Sequence, residues 1–578
     1  MSKFFLVAAG GTGMRCLQSF VQMCALGMYP NRNISILLLE TDEQNKDKKN
    51  TENLLKWYKD IQSSGVDRKQ AAVDKMTTEG AASIPSDNSS LVGGFFSANI
   101  DLYTFVPDYS KDDTRNFVVL SQVERGNSEV NHKLANIFYE EPVQEFPLAH
   151  GYRAQTHLGS YLMYHAMIED IRKAMSDDKY IGKSQLLKFI QQVQKASASG
   201  GARVFALGST FGGTGASSIP VITRAITDSC KILTGDMIQM ENIYYGGVVL
   251  SAYFKFSPPS DAHKKKDKII AQSEFFKHNS ASALMYYVND PTILQTYKKL
   301  YLLGWGGDGF DWCDTDMYKK KYLSNDEEAK TATGGKNQEN PCHLIELFGA
   351  FAAKHFFEEQ STSQKSLDNI LSTEFKYKSL EVAGKSDSKN PIVHWEDLFS
   401  LPSPNTDKNV KSVSEEIQEN FAGLICLSAI INSYYDKSLN KFLDVLKRYN
   451  MFFEIDDIQE EAVSDYLSTF YSKENPNGVK EIPGWIKQLY LTFHGEMNTP
   501  REMFFGLNGD VLEADNDGIS WWQLFNLGKD EKSSANRFIE TMRKQYKPSG
   551  KNAQGLGDFL DLLRATVKNT TIINTLRN

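Results

Sequence analysis

The chain has 578 residues, 41% of them hydrophobic and 24% charged, a balance that belongs to folded globular proteins and excludes a disordered chain. At about 100–200 residues per domain, the length calls for several folding units. Lysine and arginine number 64 against 72 acids, a formal charge of −8, so the average surface repels polyanions and no nucleic-acid partner is expected.

Residues 4–9 are a short apolar run. Gly10-Gly11-Thr12-Gly13 and Arg15 stop it before it reaches the length of an export signal, so it predicts a buried strand. Met14, Leu17, Phe20, Val21 and Ala25 then recur at helical spacing as far as Gly27 and Pro30, and 34–39 is a second continuous apolar run. Together they read as one βαβ unit whose parallel strands are covered on both faces. From 45 to 135 the pattern weakens to a short helix at Leu54, Leu55 and Tyr58 and an insertion rich in Ser, Gly and Ala at 80–99. A helical stripe runs from Leu158 to Ala174, another helix covers 179–195, and 197–201 is a small-residue turn.

Residues 204–207 predict a strand, 209–215 a glycine-rich loop, and 217–226 a helix opened by Ser217, Ser218 and Pro220, residues favoured at helix starts. A strand follows at 243–254, the cluster Lys264-Lys265-Lys266 with Lys268 reads as a solvated face, and 300–304 is a further strand. An amphipathic helix at 341–359 carries Leu344, Ile345, Phe348, Phe351, Ala352 and Phe356 on one side. Strands alternating with helices make an α/β class, a doubly wound and mostly parallel sheet. Beyond 361 come polar connections, a helix over 413–446 and aromatic pieces around Trp485 and Trp521, so 361–578 is expected to be a separate α+β region. No repeat occurs at solenoid periods. Six cysteines in no paired spacing argue against a disulfide scaffold or zinc site and for a reducing, cytoplasmic address. No stretch has the about eighteen uninterrupted apolar residues of a spanning helix.

The chemistry concentrates in two copies of Gly-Gly-Thr-Gly, at 10–13 and 212–215, each between a predicted strand and a helix. Glycine lets the backbone approach a ligand closely, and a helix amino terminus aims unpaired N–H groups and a positive dipole end outward, so phosphate is the natural guest. Thr12, Thr214 and Ser217 add hydroxyl donors, and Glu40-Thr41-Asp42 closes the second strand with acidic groups. A Walker A loop is absent: the position five residues before Gly182-Lys183-Ser184 is Asp177, and before Gly384-Lys385-Ser386 it is Ser379. A dinucleotide fingerprint fits the first loop in part, with Cys16 where the third glycine belongs and Glu40 placed to hold a ribose. That alternative, an NAD(P)-dependent oxidoreductase, leaves the second loop unused. The histidines, His394 included, show no metal spacing.

The segment 211–217, Phe-Gly-Gly-Thr-Gly-Ala-Ser, resembles the signature loop of the tubulin and FtsZ superfamily, in particular its divergent prokaryotic branch. Three weaker matches follow the family's order: Ala9 to Gly13 as first phosphate loop, Glu40-Thr41-Asp42-Glu43-Gln44 as the turn after the second strand, and Gly151-Tyr152-Arg153-Ala154 with Gly159 and Ala166 as the third loop and its helix. The resemblance implies a tubulin-like nucleotide-binding domain over 1–340, a central connecting helix at 341–360 and a divergent region at 361–578.

By that resemblance Gly212, Gly213, Thr214 and Gly215 cradle the phosphates of GTP or GDP, and Gly10, Gly11, Thr12 and Gly13 close from the other side. Asp42 lies near the terminal phosphate and its Mg²⁺, Arg153 faces the γ-phosphate, and Arg15 supplements them. Asn340 stands in for the family's base-reading asparagine, since Cys342 and His343 occupy the start of the central helix. No catalytic acid is assigned; Asp368, Glu374 and Asp397 are unranked candidates. The expected function is a GTP-binding protein, a GTPase with its nucleotide at a subunit contact, that assembles head to tail into a filament or ring and meets a protein partner through its C-terminal region. The same fold without turnover, a non-hydrolysing scaffold, is the other alternative.

Overall fold

The computed structural model describes residues 3–25, 27–29, 32–42, 45–60, 98–107, 139–140, 151–152, 154–177, 182–235, 242–253, 272–304, 344–358 and 378–381, with single positions between them. The predicted helix at 413–446, the aromatic segments around Trp485 and Trp521, and most of the insertion at 80–99 lie outside these residues.

Among them, seven strands form one sheet: β1 (Lys3–Ala9), β2 (Asn33–Leu39), β3 (Asn99–Phe105), β4 (Ala202–Ser209), β5 (Ile243–Leu250), β6 (Tyr297–Gly304) and β7 (Lys378–Glu381). Their order is β3-β2-β1-β4-β5-β6-β7 and every pairing is parallel. Parallel neighbours need crossovers, and the helices supply them. They are α1 (Gly10–Ala25), α2 over 46–60, α3 (Thr156–Ser176), α4 (Gln185–Ser199), α5 (Thr214–Thr234), α6 (Phe276–Asn289), α7 (Pro291–Thr296) and α8 (Leu344–Glu358).

Alternation along β1 shows the layering. Phe5, Val7 and Ala9 enter a core shared with α3, α4 and α5, where Phe5 meets the Phe189 ring edge-on at 5.7 Å. Phe4 faces the other way and stacks on Phe357 of α8 at 4.5 Å. Both faces of the sheet are covered, which is why β1, β2 and β4 read as mainly apolar runs, with Ser35 the polar residue inside β2.

Four elements escaped the sequence reading, among them β7, which falls in the stretch expected to be a separate region yet pairs in parallel with β6. β3 is the outer neighbour of β2, and its half-exposed pattern with Asp101 lacks the continuous apolar signature. α6 and α7 present much polar or exposed surface, including Met285, Tyr286 and Val288, so their periodicity is weak. Both glycine-loop helices also begin earlier than expected, at Gly10 and Thr214, because the motif residues are taken into the first turns. The helix predicted as amphipathic at 341–359 is instead covered on nearly every side: Glu346 and Lys354 are buried along with its apolar residues. Arg203 of β4 closes its end by donating to the carbonyls of Phe356 and Phe357.

Candidate functional site

Sequential strands run outward from β1 on one side and from β4 on the other, so the winding reverses between β1 and β4. In open α/β sheets the crevice at such a reversal, beyond the carboxyl ends of the strands, is where ligands bind. Both Gly-Gly-Thr-Gly segments sit there. The first opens α1 straight after Ala9, and the second follows Ser209 to open α5.

They touch. Gly10 has a positive φ of 70°, and a Cβ built on it would stand 2.9 Å from the Gly215 amide nitrogen and 3.3 Å from Thr214 Cβ. Gly13 backs onto the Leu207 carbonyl of β4 so closely that no Cβ fits between them. Gly11, Thr12, Gly212 and Gly213 are half-buried while the rest of the two motifs is buried, so these four form the accessible lip. Neither α1 nor α5 has an acidic residue in its first turn. The free N–H groups and positive dipole ends of two helices are thereby left for an anion.

Under the lip the end of β2 supplies Glu40, 3% exposed. Its Oε1 accepts from the Thr41 amide at 2.8 Å, the Asp42 amide at 3.3 Å and the Thr214 hydroxyl at 2.9 Å. Its Oε2 accepts from Asn45 Nδ2 at 2.8 Å. Burial pushes the Glu40 carboxyl up from 4.5 to about 7, against the pull of those donors and with a small further push from Asp42. Gly151 closes the same spot, its Cα side facing Thr41 and Thr214.

The second turn is also gripped from above by α6. Thr210 Oγ1 donates to Ser280 Oγ at 2.9 Å, and the Phe211 ring packs on Phe276 at 4.6 Å. Pro220 lies inside α5, where it has no N–H for the carbonyl four residues back, that of Ala216. Tyr287 of α6 fills the gap by donating its hydroxyl to Ala216 O at 2.8 Å. Pro220 therefore acts within the helix and not at its start, as the sequence had implied.

Several predicted site residues fall elsewhere. Arg15 does not supplement the phosphate loops. It is buried against α8, where Nε donates to Glu346 Oε1 at 2.7 Å and Nη2 pairs with the same oxygen. Tyr253, just past β5, donates to that oxygen at 2.6 Å and meets Phe211 edge-on. Burial works to lower the Arg15 guanidinium, but Glu346, Tyr253 and Asp47 outweigh it and hold its proton above the ordinary value. A buried acid in an otherwise apolar stretch, Glu346 in 344–353, is the sequence signal that could have pointed to a buried cation partner.

Ser217 is not at the lip either: its hydroxyl abuts Gly159 and is fully buried between α5 and α3. The Thr214 hydroxyl is turned to Glu40 and so does not face the lip. Asp42 is buried at the end of β2. Glu40, the alternative's ribose acid, has its oxygens occupied by the four donors above. Cys16, in place of a third glycine, packs its sulfur on Gly349 of α8, so the close approach is made by a glycine on the partner helix. Arg153, Asn340, Asp368, Glu374 and Asp397 lie outside the described residues.

Cys16, Cys24 and Cys230 are free and buried. Among the described residues no group of three or more His, Cys, Asp or Glu converges as a metal site, and no helix is long and apolar enough to cross a membrane. No protein-family model, no curated protein and no solved structure matches this chain.

Proposed function

We propose that the chain binds a nucleoside triphosphate across the two glycine turns, with GTP as the expected ligand from the tubulin-like resemblance, and that the bound nucleotide controls head-to-tail self-association. One observation carries the reading: the turns that open α1 and α5 meet at the reversal between β1 and β4, with Gly10 against Thr214 and Gly215. Two helix amino termini converging on one crevice suit a polyphosphate, whose charge is spread over several oxygens, better than a single carboxylate.

In this reading the amides at Gly11, Thr12, Gly212 and Gly213 bind the phosphates, and the buried remainder of the motifs fixes their spacing. A Mg²⁺ ion carried in on the phosphates would neutralise their charge, and Asp42 is the carboxylate that the resemblance assigns to it. Glu40 is not offered, since its oxygens already serve four donors. The strand order also serves dinucleotide-binding domains, so NAD(P)H is the competing ligand; the occupied Glu40 carboxylate argues against it.

Equilibrium dialysis against GTP, ATP and NADPH tests this directly. Stoichiometric binding of GTP, with sedimentable assemblies formed in GTP and not in GDP, is the expected result. Binding of NADPH alone, or of no nucleotide at millimolar concentration, would refute it.

A further inference from the structure

Beneath the lip, the side-chain hydrogen bonds have a direction that an anion-cradling role for the threonines does not use. Glu40, Thr41 and Thr214 are each less than a tenth exposed. With Glu40 ionised, Thr214 Oγ1 donates to Glu40 Oε1 at 2.9 Å, so in its 2.8 Å contact with Thr41 Oγ1 the donor is Thr41. Both hydroxyl protons point toward the carboxylate, and a hydroxyl has only one to give. Thr214 keeps none for a phosphate oxygen.

The polarity is locked from the far side. Asn45 Oδ1 accepts from the Asp47 amide at 2.9 Å and the Lys48 amide at 3.3 Å, capping α2. Its amide nitrogen must then face Glu40 Oε2, because exchanging the two ends would strip the cap. With the amides of Thr41 and Asp42, Glu40 faces four donors. A carboxylate accepts all four, whereas a carboxamide offers one oxygen and sets an NH₂ against a donor.

We infer that Glu40 is a positioning residue of the nucleotide site, holding the end of β2 and the amino terminus of α5 in register through Thr214, which is its strut and not a phosphate ligand. This rests on the nucleotide reading above and deepens it: the anion is held by backbone amides, and the hydroxyl acts at one remove. The juxtaposition spans 174 residues of sequence.

The test is GTP affinity by calorimetry at one pH for the parent chain, Glu40→Gln, Thr214→Val, Thr214→Ser and the double variant Glu40→Gln/Thr214→Val, each checked for parent-like circular dichroism. Each of the first two should weaken GTP binding about tenfold, the order expected for one lost hydrogen bond to a charged group. The double variant should be no weaker than the weaker single one, because Glu40→Gln weakens, by neutralising its acceptor, the same bond that Thr214→Val removes. Thr214→Ser, which keeps the hydroxyl, should stay within about threefold of the parent. Losses that multiply in the double variant, or unchanged affinity in Glu40→Gln and Thr214→Val despite lowered melting temperatures, overturn the inference while leaving the nucleotide reading intact. If Glu40→Gln does not fold, the Val and Ser variants decide: a Ser variant as weak as Val overturns it. A parent that binds no GTP removes the nucleotide reading itself.

Discussion

The contact between the two glycine turns can be isolated by substituting Gly10→Ala and comparing it with Gly235→Ala. Both glycines have positive φ, 70° and 60°, a region that costs an L-residue about 1–2 kcal/mol. At Gly235 nothing stands within 4 Å of an added Cβ, so that variant reports the backbone term alone. At Gly10 the same Cβ meets the Gly215 amide nitrogen at 2.9 Å and Thr214 Cβ at 3.3 Å, of which the first is backbone and cannot rotate away. Carbon in contact with such an atom normally stands about 3.5 Å off, so the turns must part by roughly half an ångström. Overpacking of that kind costs about 1–3 kcal/mol. Gly10→Ala should therefore lose about 2–5 kcal/mol and Gly235→Ala about 1–2 kcal/mol. Urea unfolding followed by circular dichroism gives the two midpoints, and GTP titration of the folded variants should show binding lost only in Gly10→Ala. Equal midpoints would mean that the turns do not touch, and the shared crevice would go with them.

Three further outcomes follow from buried groups. Burial raises the Asp47 carboxyl from 3.8 to about 6, despite Arg15 nearby, and its Oδ2 is buried without a hydrogen-bond partner. The folded chain thus holds this proton more tightly than the unfolded chain, and the associated stability, on the order of 3 kcal/mol, is present below pH 4 and lost as pH rises through 6. Asp47→Asn should gain on the parent in urea midpoint between pH 4 and 7, and a loss over that range would contradict the burial. Glu346→Ala removes the acceptor shared by Arg15 and Tyr253 and should cost about 3–5 kcal/mol, while Arg15→Met/Glu346→Leu should recover most of it; a single variant as stable as the parent would refute the pair. Tyr287→Phe takes away the donor that replaces the missing N–H of Pro220 and should cost about 1–3 kcal/mol by thermal unfolding, with no change expected only if Ala216 O is satisfied by another group.

What the residues determined on their own was the set of central strands and the two turns. β1, β2 and β4 are mainly apolar runs because helices cover both faces of the sheet, and that burial is written directly into residue type. The glycine motifs were legible for the same local reason: only glycine tolerates the φ of Gly10 and the approach of Gly13 to Leu207. β3 was not legible, since its outer face is half exposed and its side chains do not alternate cleanly. Side-chain direction in the site was equally hidden. Arg15 and Ser217 lie within a few residues of a glycine turn, yet helical rotation carries one to Glu346 of α8 and the other to Gly159 of α3. Periodicity reports whether a residue is buried but not what it is buried against. That partner depends on strand order, and only the folded chain, by placing β1 beside β4, brings Glu40 under Thr214 and the two turns together.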